Sequence, residues 1–588
     1  MAVATEPTRT VAPARAETAE QVLDPRERAN RLARATSQGL LVAALGIALF
    51  LHFYNARFSG LNDSAALDAA QTGLNFSKGR GLVTSVVYPL ALALKHPDTN
   101  RTDIRQGPVY PLFLSLFFRA KVAGDETVAM ANGLVHLLTA WLLYGLIKLL
   151  YDKPAALLAA IAYLFSLEAI GQALTGTGAS LGALLLVASL LCWAQMVGGA
   201  RQADAVSGLS AERLLSNPLV WLVASGFSLG LLYLSGQFGL LTIGALAWCV
   251  AASRQRRRKV ALGIMLGLFV LTISPWLIRN YRTLHTLGLP LKQYELVMHT
   301  RTFPGQSVLW TMPDQLPHPV SFVLTHPKQM LTKAANGLTG LYRGIPEIVS
   351  PYLWPFLALG YFLVVQTDLQ RRVWRFLALA VLLQGVTICL YDVTSLGGLH
   401  VFIPLAYGLA VAAAVQFVRQ YVPPARARVA LVVGVAALVV FPYASSTLLG
   451  GKVPASPSLH NLGLLANAVH PKDMIASDIA WDVAWYTERR AMLLPRDAPE
   501  FKRLIDMGYK PAYVYLSRNL TGPRRYGLGH EVWVAMLTGR LDPARIGLGL
   551  PLPMPNGELL VELPFAQQKV SDRLKQAAEK AKAEEGNR

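Results

Sequence analysis

The sequence predicts a mainly α, polytopic transmembrane bundle of about eleven spans, followed by a small α/β domain at the C-terminal end. Three observations predict it. Only 15% of the 588 residues are charged and 53% are hydrophobic, whereas soluble domains carry about 25% charged residues. Apolar runs long enough to cross a bilayer recur along the first three quarters of the chain. Beyond residue 447 the long runs give way to short strand-like pieces among polar helices.

The tail 1–37 is polar and rich in Ala, Thr and Pro, then in Arg. It has no small-residue cleavage site before the first apolar run, so a disordered tail and a retained first span are expected. Apolar runs follow at 38–55, 129–150, 154–170, 179–197, 217–235, 238–253, 259–278, 346–365, 374–391, 399–418 and 428–447. Basic clusters fall before the first run and at 148–153, 201–213, 254–259 (RQRRRK), 371–375 and 419–428. With a cytoplasmic N-terminus, every cluster lies on the cytoplasmic side, as the positive-inside rule requires. The formal charge of +20 thus belongs to topology, and nucleic acid is excluded as a partner.

On the opposite side the chain spends its length. Domain 38–447 carries two long loops there, 56–128 and 279–345, and region 448–588 forms the external domain. Both loops contain Trp, Tyr and Pro, and loops of this length in compact proteins are commonly functional. The apolar stretch 107–120 (GPVYPLFLSLFFRA) is too short to cross and is expected to lie in the interface or re-enter. Within 448–588, MIASDIAWDVAWYT, RAMLLP, AYVYLS and LLVELPF read as short strands among helices, and 567–588 as a charged helix or frayed tail. The three cysteines, Cys192, Cys249 and Cys389, sit singly inside apolar runs, which excludes a disulfide framework or thiolate metal centre.

Candidate chemistry begins at Asn62-Asp63-Ser64 and Asp68-Ala-Ala-Gln71, just past the first span. A carboxylate at the bilayer surface can act as general base on an acceptor hydroxyl or amine, or hold a divalent cation (Mg or Mn) against a phosphate. The plainer alternative makes Asp63 a helix cap and puts Asp68 on a solvated helix face. At the start of the second loop Arg279, Arg282, His285, Lys292, His299 and Arg301 crowd together. Arginine suits bidentate contact with phosphate; the alternative is that Arg279 and Arg282 snorkel to headgroups. His400 opens the run His400-Val-Phe-Ile-Pro404.

These words carry a resemblance. Asp68-Ala-Ala-Gln, Gly79-Arg-Gly and Arg105-Gln-Gly-Pro-Val-Tyr-Pro111 resemble the first external loop of the GT-C glycosyltransferases. Within that superfamily the likeness is to bacterial relatives of dolichyl-phosphate-mannose protein mannosyltransferases and lipid A aminoarabinose transferases. Ser274-Pro-Trp-Leu-Ile-Arg279-Asn280-Tyr281, continuing into Tyr294-Glu295 and Phe303-Pro-Gly305, is similar to the exit into their second long loop. Ala476-Ser-Asp478, Trp485-Tyr486 and Leu494-Pro495 resemble their external C-terminal domain.

The resemblance implies a bacterial cytoplasmic-membrane enzyme that moves a sugar from a polyprenyl-phosphate donor to an acceptor (glycan, lipid or protein) at the outer face, with inversion. The catalytic or metal-positioning acid then falls on Asp63 or Asp68, and the two stay open. Arg279, with Arg282, Lys292 and Arg301, would hold the donor phosphate. His400 stands where relatives often carry arginine. The sequence departs from the pattern at Thr175-Gly-Thr-Gly-Ala-Ser180, which lacks the relatives' acid; Glu168 is the nearest carboxylate. The paired acids of the first loop are also reduced to Asn62-Asp63. These departures support a second class, a catalytically silent scaffold or complex subunit. A transporter predicts an inverted repeat and mid-membrane charges, and neither is present in the sequence.

Overall fold

The computed structural model describes residues 25–92, 105–199, 217–236, 240–251, 258–284, 293–312, 316–364, 366–391, 397–450, 458–521 and 531–566. Residues 1–24 of the predicted tail 1–37, the tail 567–588, the 201–213 cluster, His285 and Lys292 lie outside the described residues, whereas 25–37, expected to be disordered, continue the first span as helix.

The bundle begins with α1 (Pro25–Arg57). The first loop then folds into two short helices, α2 (Ser64–Ser77) and α3 (Val109–Ala120). There follow α4 (Asp125–Leu150), the pair α5 (Lys153–Leu164) and α6 (Leu167–Thr175), and α7 (Ala179–Gly199). Next come α8 (Pro218–Leu234), α9 (Leu240–Ala251) and the long α10 (Arg258–Leu284). The second loop holds the amphipathic α11 (Pro327–Gly344). The bundle closes with α12 (Trp354–Phe362), α13 (Asp368–Leu390), α14 (Ile403–Tyr421) and α15 (Ala425–Leu449).

Seven described helices are long and apolar enough to cross a membrane, and eight spans result if the α5–α6 pair, bent by 50° between its halves, counts as one. The bend has a local cause: Ser166 accepts from the Ala169 N–H and caps a new helix start. The predicted runs 217–235 and 238–253 appear as the shorter α8 and α9. Run 346–365 breaks into two 3₁₀ turns and the nine-residue α12, because Pro346, Pro351 and Pro355 interrupt it.

The stretch 107–120 is a single amphipathic helix, α3, with Tyr110, Leu114 and Phe118 buried and Leu116 exposed. It packs on α2 where Gly73 lets the backbones meet. A Cβ at Gly73 would stand 2.8 Å from the Pro111 carbonyl oxygen.

The C-terminal domain is one six-stranded sheet of order β1-β3-β2-β4-β6-β5. Strands β2 (Met474–Ser477), β3 (Arg490–Leu493), β4 (Tyr513–Leu516) and β6 (Glu558–Glu562) are the pieces the sequence marks. In MIASDIAWDVAWYT the second half is helical rather than extended, forming α17 (Ala480–Thr487) after α16 (Ser458–Ala468). Two strands escape prediction. The edge strand β5 (Pro551–Met554) carries prolines at alternate positions, which an edge tolerates because it needs few N–H donors. The other, β1 (Val86–Val87), comes from the first loop and pairs in parallel with β3, Val86 opposite Ala491. The first loop is therefore part of the C-terminal domain's sheet.

Asp478 ends β2 inside this domain. Its oxygens accept from the Ser517 N–H at 2.9 Å and the Ser517 hydroxyl at 2.5 Å. Burial nevertheless pushes its carboxyl up to about 7. The folded state then binds the proton more tightly than the unfolded chain, so stability falls as pH rises from about 4 toward 7. Asp478→Asn, which keeps both contacts, is expected to flatten that part of the thermal-unfolding profile, followed by circular dichroism between pH 4 and 8.

Candidate active site

One face of α2 explains the first loop. Asp68, Gln71 and Asn75 recur at helical spacing and are all buried. Each holds the returning segment 83–88. Asp68 accepts from the Thr84 hydroxyl and the Tyr88 hydroxyl, both at 2.8 Å. The Gln71 carbonyl accepts from the Ser85 N–H at 2.7 Å, and the Asn75 amide donates to the Val83 carbonyl at 2.9 Å. The glycine turn between them needs left-handed backbone at Gly79 (φ 75°) and Gly81 (φ 84°). This stripe delivers Val86 and Val87 to the sheet.

Asp68 lies fully inside this network. The Trp481 indole of the domain donates to Tyr88 at 2.8 Å, and the Arg105 guanidinium sits 5.2 Å from the Trp481 ring. Burial raises the Asp68 carboxyl, against the pull of Arg105, Tyr88 and Thr84. Burial works against the Arg105 charge too, but Tyr88, Asp68 and Asp63 outweigh it, so the arginine stays protonated. The solvated-face alternative for Asp68 does not hold: it has no exposed surface.

Asp63 has the opposite setting. It is exposed and caps α2, with Oδ1 accepting from the N–H groups of Ala65 and Ala66 at 2.8 and 3.1 Å. Arg105 lies close enough to feel its charge and donates to the Ser64 hydroxyl at 2.9 Å. Tyr110, also within reach of the Asp63 charge, donates at 2.5 Å to the carbonyl of Gly176 and accepts from the Asn132 amide at 2.9 Å. Gly176 is left-handed (φ 76°) and a Cβ there would strike Leu61. The acid-free turn 175–178 thus borders the Asp63 end of α2.

Behind that turn, α6 brings three candidate groups together. Glu168 accepts from the Tyr407 hydroxyl at 2.6 Å and the Ser166 hydroxyl at 3.1 Å. One turn on, Gln172 meets His400 Nε2 at 3.5 Å, and His400 Nδ1 has no partner among the described residues.

The second-loop cations lie elsewhere. Arg279 stacks 4.4 Å from the Trp276 ring centroid, donates to Asn280 at 3.1 Å and reaches the Leu82 carbonyl at 3.4 Å. It therefore meets the first loop at the glycine turn, at the far end of α2, a helix about 20 Å long. Arg282 and Arg301 are exposed. Lys333 is buried in α11 and donates to the carbonyls of Glu295 and Leu296 at 2.6 and 3.0 Å, pinning the second loop.

Sequence reasoning missed Asp125 at the start of α4. It accepts from the Leu61 N–H at 3.2 Å, the Trp485 indole at 2.6 Å and the Tyr486 hydroxyl at 2.7 Å. No motif marks it; its acidic place in the first helical turn looks like an ordinary dipole contact. Arg105 was visible only as part of a first-loop word, not as the cation beside Asp63.

Among the described residues no group of three or more His, Cys, Asp or Glu side chains could hold a metal ion.

No family model and no curated protein sequence matches the chain. Solved structures do. The archaeal oligosaccharyltransferase AglB from Archaeoglobus fulgidus, in complex with an inhibitory peptide and a dolichol-phosphate, aligns at 12% identity with a TM-score of 0.52. The match covers 91% of this chain and 75% of that one. ArnT from Cupriavidus metallidurans, bound to undecaprenyl phosphate, aligns at 12% identity and TM-score 0.51, over 90% of this chain and 98% of that one. The Archaeoglobus fulgidus oligosaccharyltransferase complex with Zn and sulfate aligns at 12% identity and TM-score 0.50, over 82% and 68%. The architecture is that of a membrane protein with the GT-C fold.

Removing the Asp125 carboxylate leaves the Trp485 indole without its acceptor and the Tyr486 hydroxyl with the Leu61 carbonyl at 3.2 Å. Asp125→Ala is expected to lower stability by about 1–3 kcal/mol. It should also speed proteolytic cleavage at the loop–domain junction, read by limited trypsinolysis and mass spectrometry.

Proposed function

We propose that the chain is a membrane glycosyltransferase that transfers a sugar from a polyprenyl-phosphate carrier to an acceptor, at the membrane face carrying the α/β domain. The observation that carries this reading is the contrast along α2. Asp68 is buried and fully hydrogen-bonded, whereas Asp63 is exposed beside a protonated arginine at the helix N-terminus. The fold supports the class: AglB and ArnT were solved with lipid-linked phosphates bound. With the positive-inside pattern, that face is the outer side of a bacterial cytoplasmic membrane.

In this reading Asp63 is the general base. Its oxygen takes the proton of an acceptor hydroxyl or amine as that group attacks the anomeric carbon. The new bond forms on the opposite side from the leaving oxygen, so configuration inverts. The carbon–oxygen bond to the carrier breaks, and its electron pair leaves on the polyprenyl phosphate. Arg105 and the first N–H groups of α2 give the Asp63 end a positive field suited to that anion. Arg279 stands at the other end of α2 and Arg282 is exposed one turn on, where they suit an entering headgroup better than the bond being broken. His400 and Gln172 are neutral hydrogen-bonding partners near the same mouth. Asp68 serves as a structural tie.

One observation favours the second reading, a silent GT-C-like scaffold: among the described residues the 175–180 turn supplies no carboxylate to join Asp63. A transfer assay with defined polyprenyl-phosphate sugars separates the two. Asp63→Asn is expected to lower kcat about 10²–10⁴-fold at unchanged thermal stability. Asp68→Asn should instead lower the unfolding temperature. Wild-type turnover in Asp63→Asn would sink the base assignment. No turnover by the native chain with any donor, together with a stable co-purifying protein complex, would establish the scaffold.

A further inference from the structure

Toward the end of the bundle opposite the α/β domain, α5, α14 and α15 leave an open, almost wholly apolar cleft between them. Its walls are three stripes. Leu158 and Phe165 bound it on α5, Val411 and Val418 on α14, Val432 and Val439 on α15. Each pair is two helical turns apart, so the cleft runs about 10 Å along the helices. It stays open because Ala162, Ala414 and Ala436 stand where larger side chains would meet. An apolar cleft left unfilled forfeits dispersion contacts along its walls. In keeping with that, α15 is only 17% buried by protein along its most apolar stretch.

The mouth is charged. Arg419 follows Val418 directly, Lys153 precedes Leu158 by little more than one turn, and Arg428 precedes Val432 by one turn. Arg426 is exposed on the same turn, and Asp152, held by Arg419, is the one carboxylate among these groups. Three apolar walls below a cationic rim match one chemistry: an acyl chain under an anionic headgroup.

We propose that this cleft binds an anionic phospholipid of the leaflet opposite the α/β domain. Its acyl chain fills the space between α5, α14 and α15, and its phosphate meets Lys153, Arg426 and Arg428. The site is separate from the proposed donor site, because Val411 and Val418 lie toward the end of α14 away from Tyr407, which meets Glu168 behind the 175–178 turn. Filling the cleft packs α15, the last helix before the soluble domain, onto the bundle.

The test is native mass spectrometry and thermal unfolding of the detergent-purified full chain, with phosphatidylglycerol, phosphatidylcholine or undecaprenyl phosphate added. Phosphatidylglycerol is expected to survive delipidating washes and raise the unfolding temperature, whereas phosphatidylcholine does neither. Lys153→Gln/Arg426→Gln should weaken phosphatidylglycerol retention about fivefold per charge removed. Ala436→Leu, at an exposed position that tolerates the added volume, should reduce retention with the rim intact. Equal retention of phosphatidylcholine, tighter retention of undecaprenyl phosphate, or retention unchanged in both variants would overturn the proposal.

Discussion

The polar stripe of α2 is the constraint on which the rest of the structure depends. Asp68, Gln71 and Asn75 are buried on one helix face between the apolar bundle and the α/β domain. Buried polar groups are tolerated only when satisfied, and here the partner of each is the segment 83–88. Satisfying them forces the chain back along α2 through two left-handed glycines and carries Val86 and Val87 to the edge of a sheet built 390 residues later in the chain. The same stripe sets the orientation of α2, and so the position of its N-cap, Asp63. A word that looks catalytic in the sequence is fully hydrogen-bonded inside the fold, and the exposed acid just ahead of it is the one the proposed reaction uses.

Much of this fold is legible in the sequence because lipid enforces long apolar runs. The first, second, fourth and seventh runs and the last three reappear as full helices, and four of the six strands fall where short β-rich pieces were marked. What failed to show has physical reasons. Prolines at 346, 351 and 355 cut an apolar run that hydropathy alone reads as continuous. Strand β1 is two residues long, and β5 is a proline-bearing edge, so neither carries a period-2 signal. For the candidate site, the sequence marks the segment around Asp63 and Asp68 but does not rank one against the other. Only tertiary structure reveals that Tyr88 and Thr84 close over the second. Arg279 was grouped with the acids because both occur in loops of the same face; the length of α2 keeps them apart.

Those two ends of α2 divide the electrostatics. At the N-terminal end a helix dipole, Arg105 and Asp63 share one small space, so an arriving phosphate would find a field tuned by a single carboxylate. At the C-terminal end Arg279 rests on Trp276 and touches the Leu82 carbonyl. Stacking removes little of its charge, and the arginine remains a fixed cation at the rim of the bundle. In the proposed reaction a lipid-linked anion would be attracted at one end and react at the other, so that recognition of the carrier and activation of the acceptor fall on different residues.

The α/β domain is then more than an appended module. Asp125 accepts from Leu61, two residues before Asp63, and from Trp485 and Tyr486 on α17. Tyr486 also donates to the Leu61 carbonyl at 3.2 Å. A shift of α17 cannot leave Leu61 in place without breaking charge-assisted bonds in a partly buried setting, where they are stronger than at an open surface. On the other side, Trp481 bonds Tyr88, which bonds Asp68. The domain therefore grips α2 at its start and in its second turn, and Asp63 lies between those grips. Its geometry is set jointly by the bundle and the domain, so whatever engages the domain can act on Asp63 without contacting it.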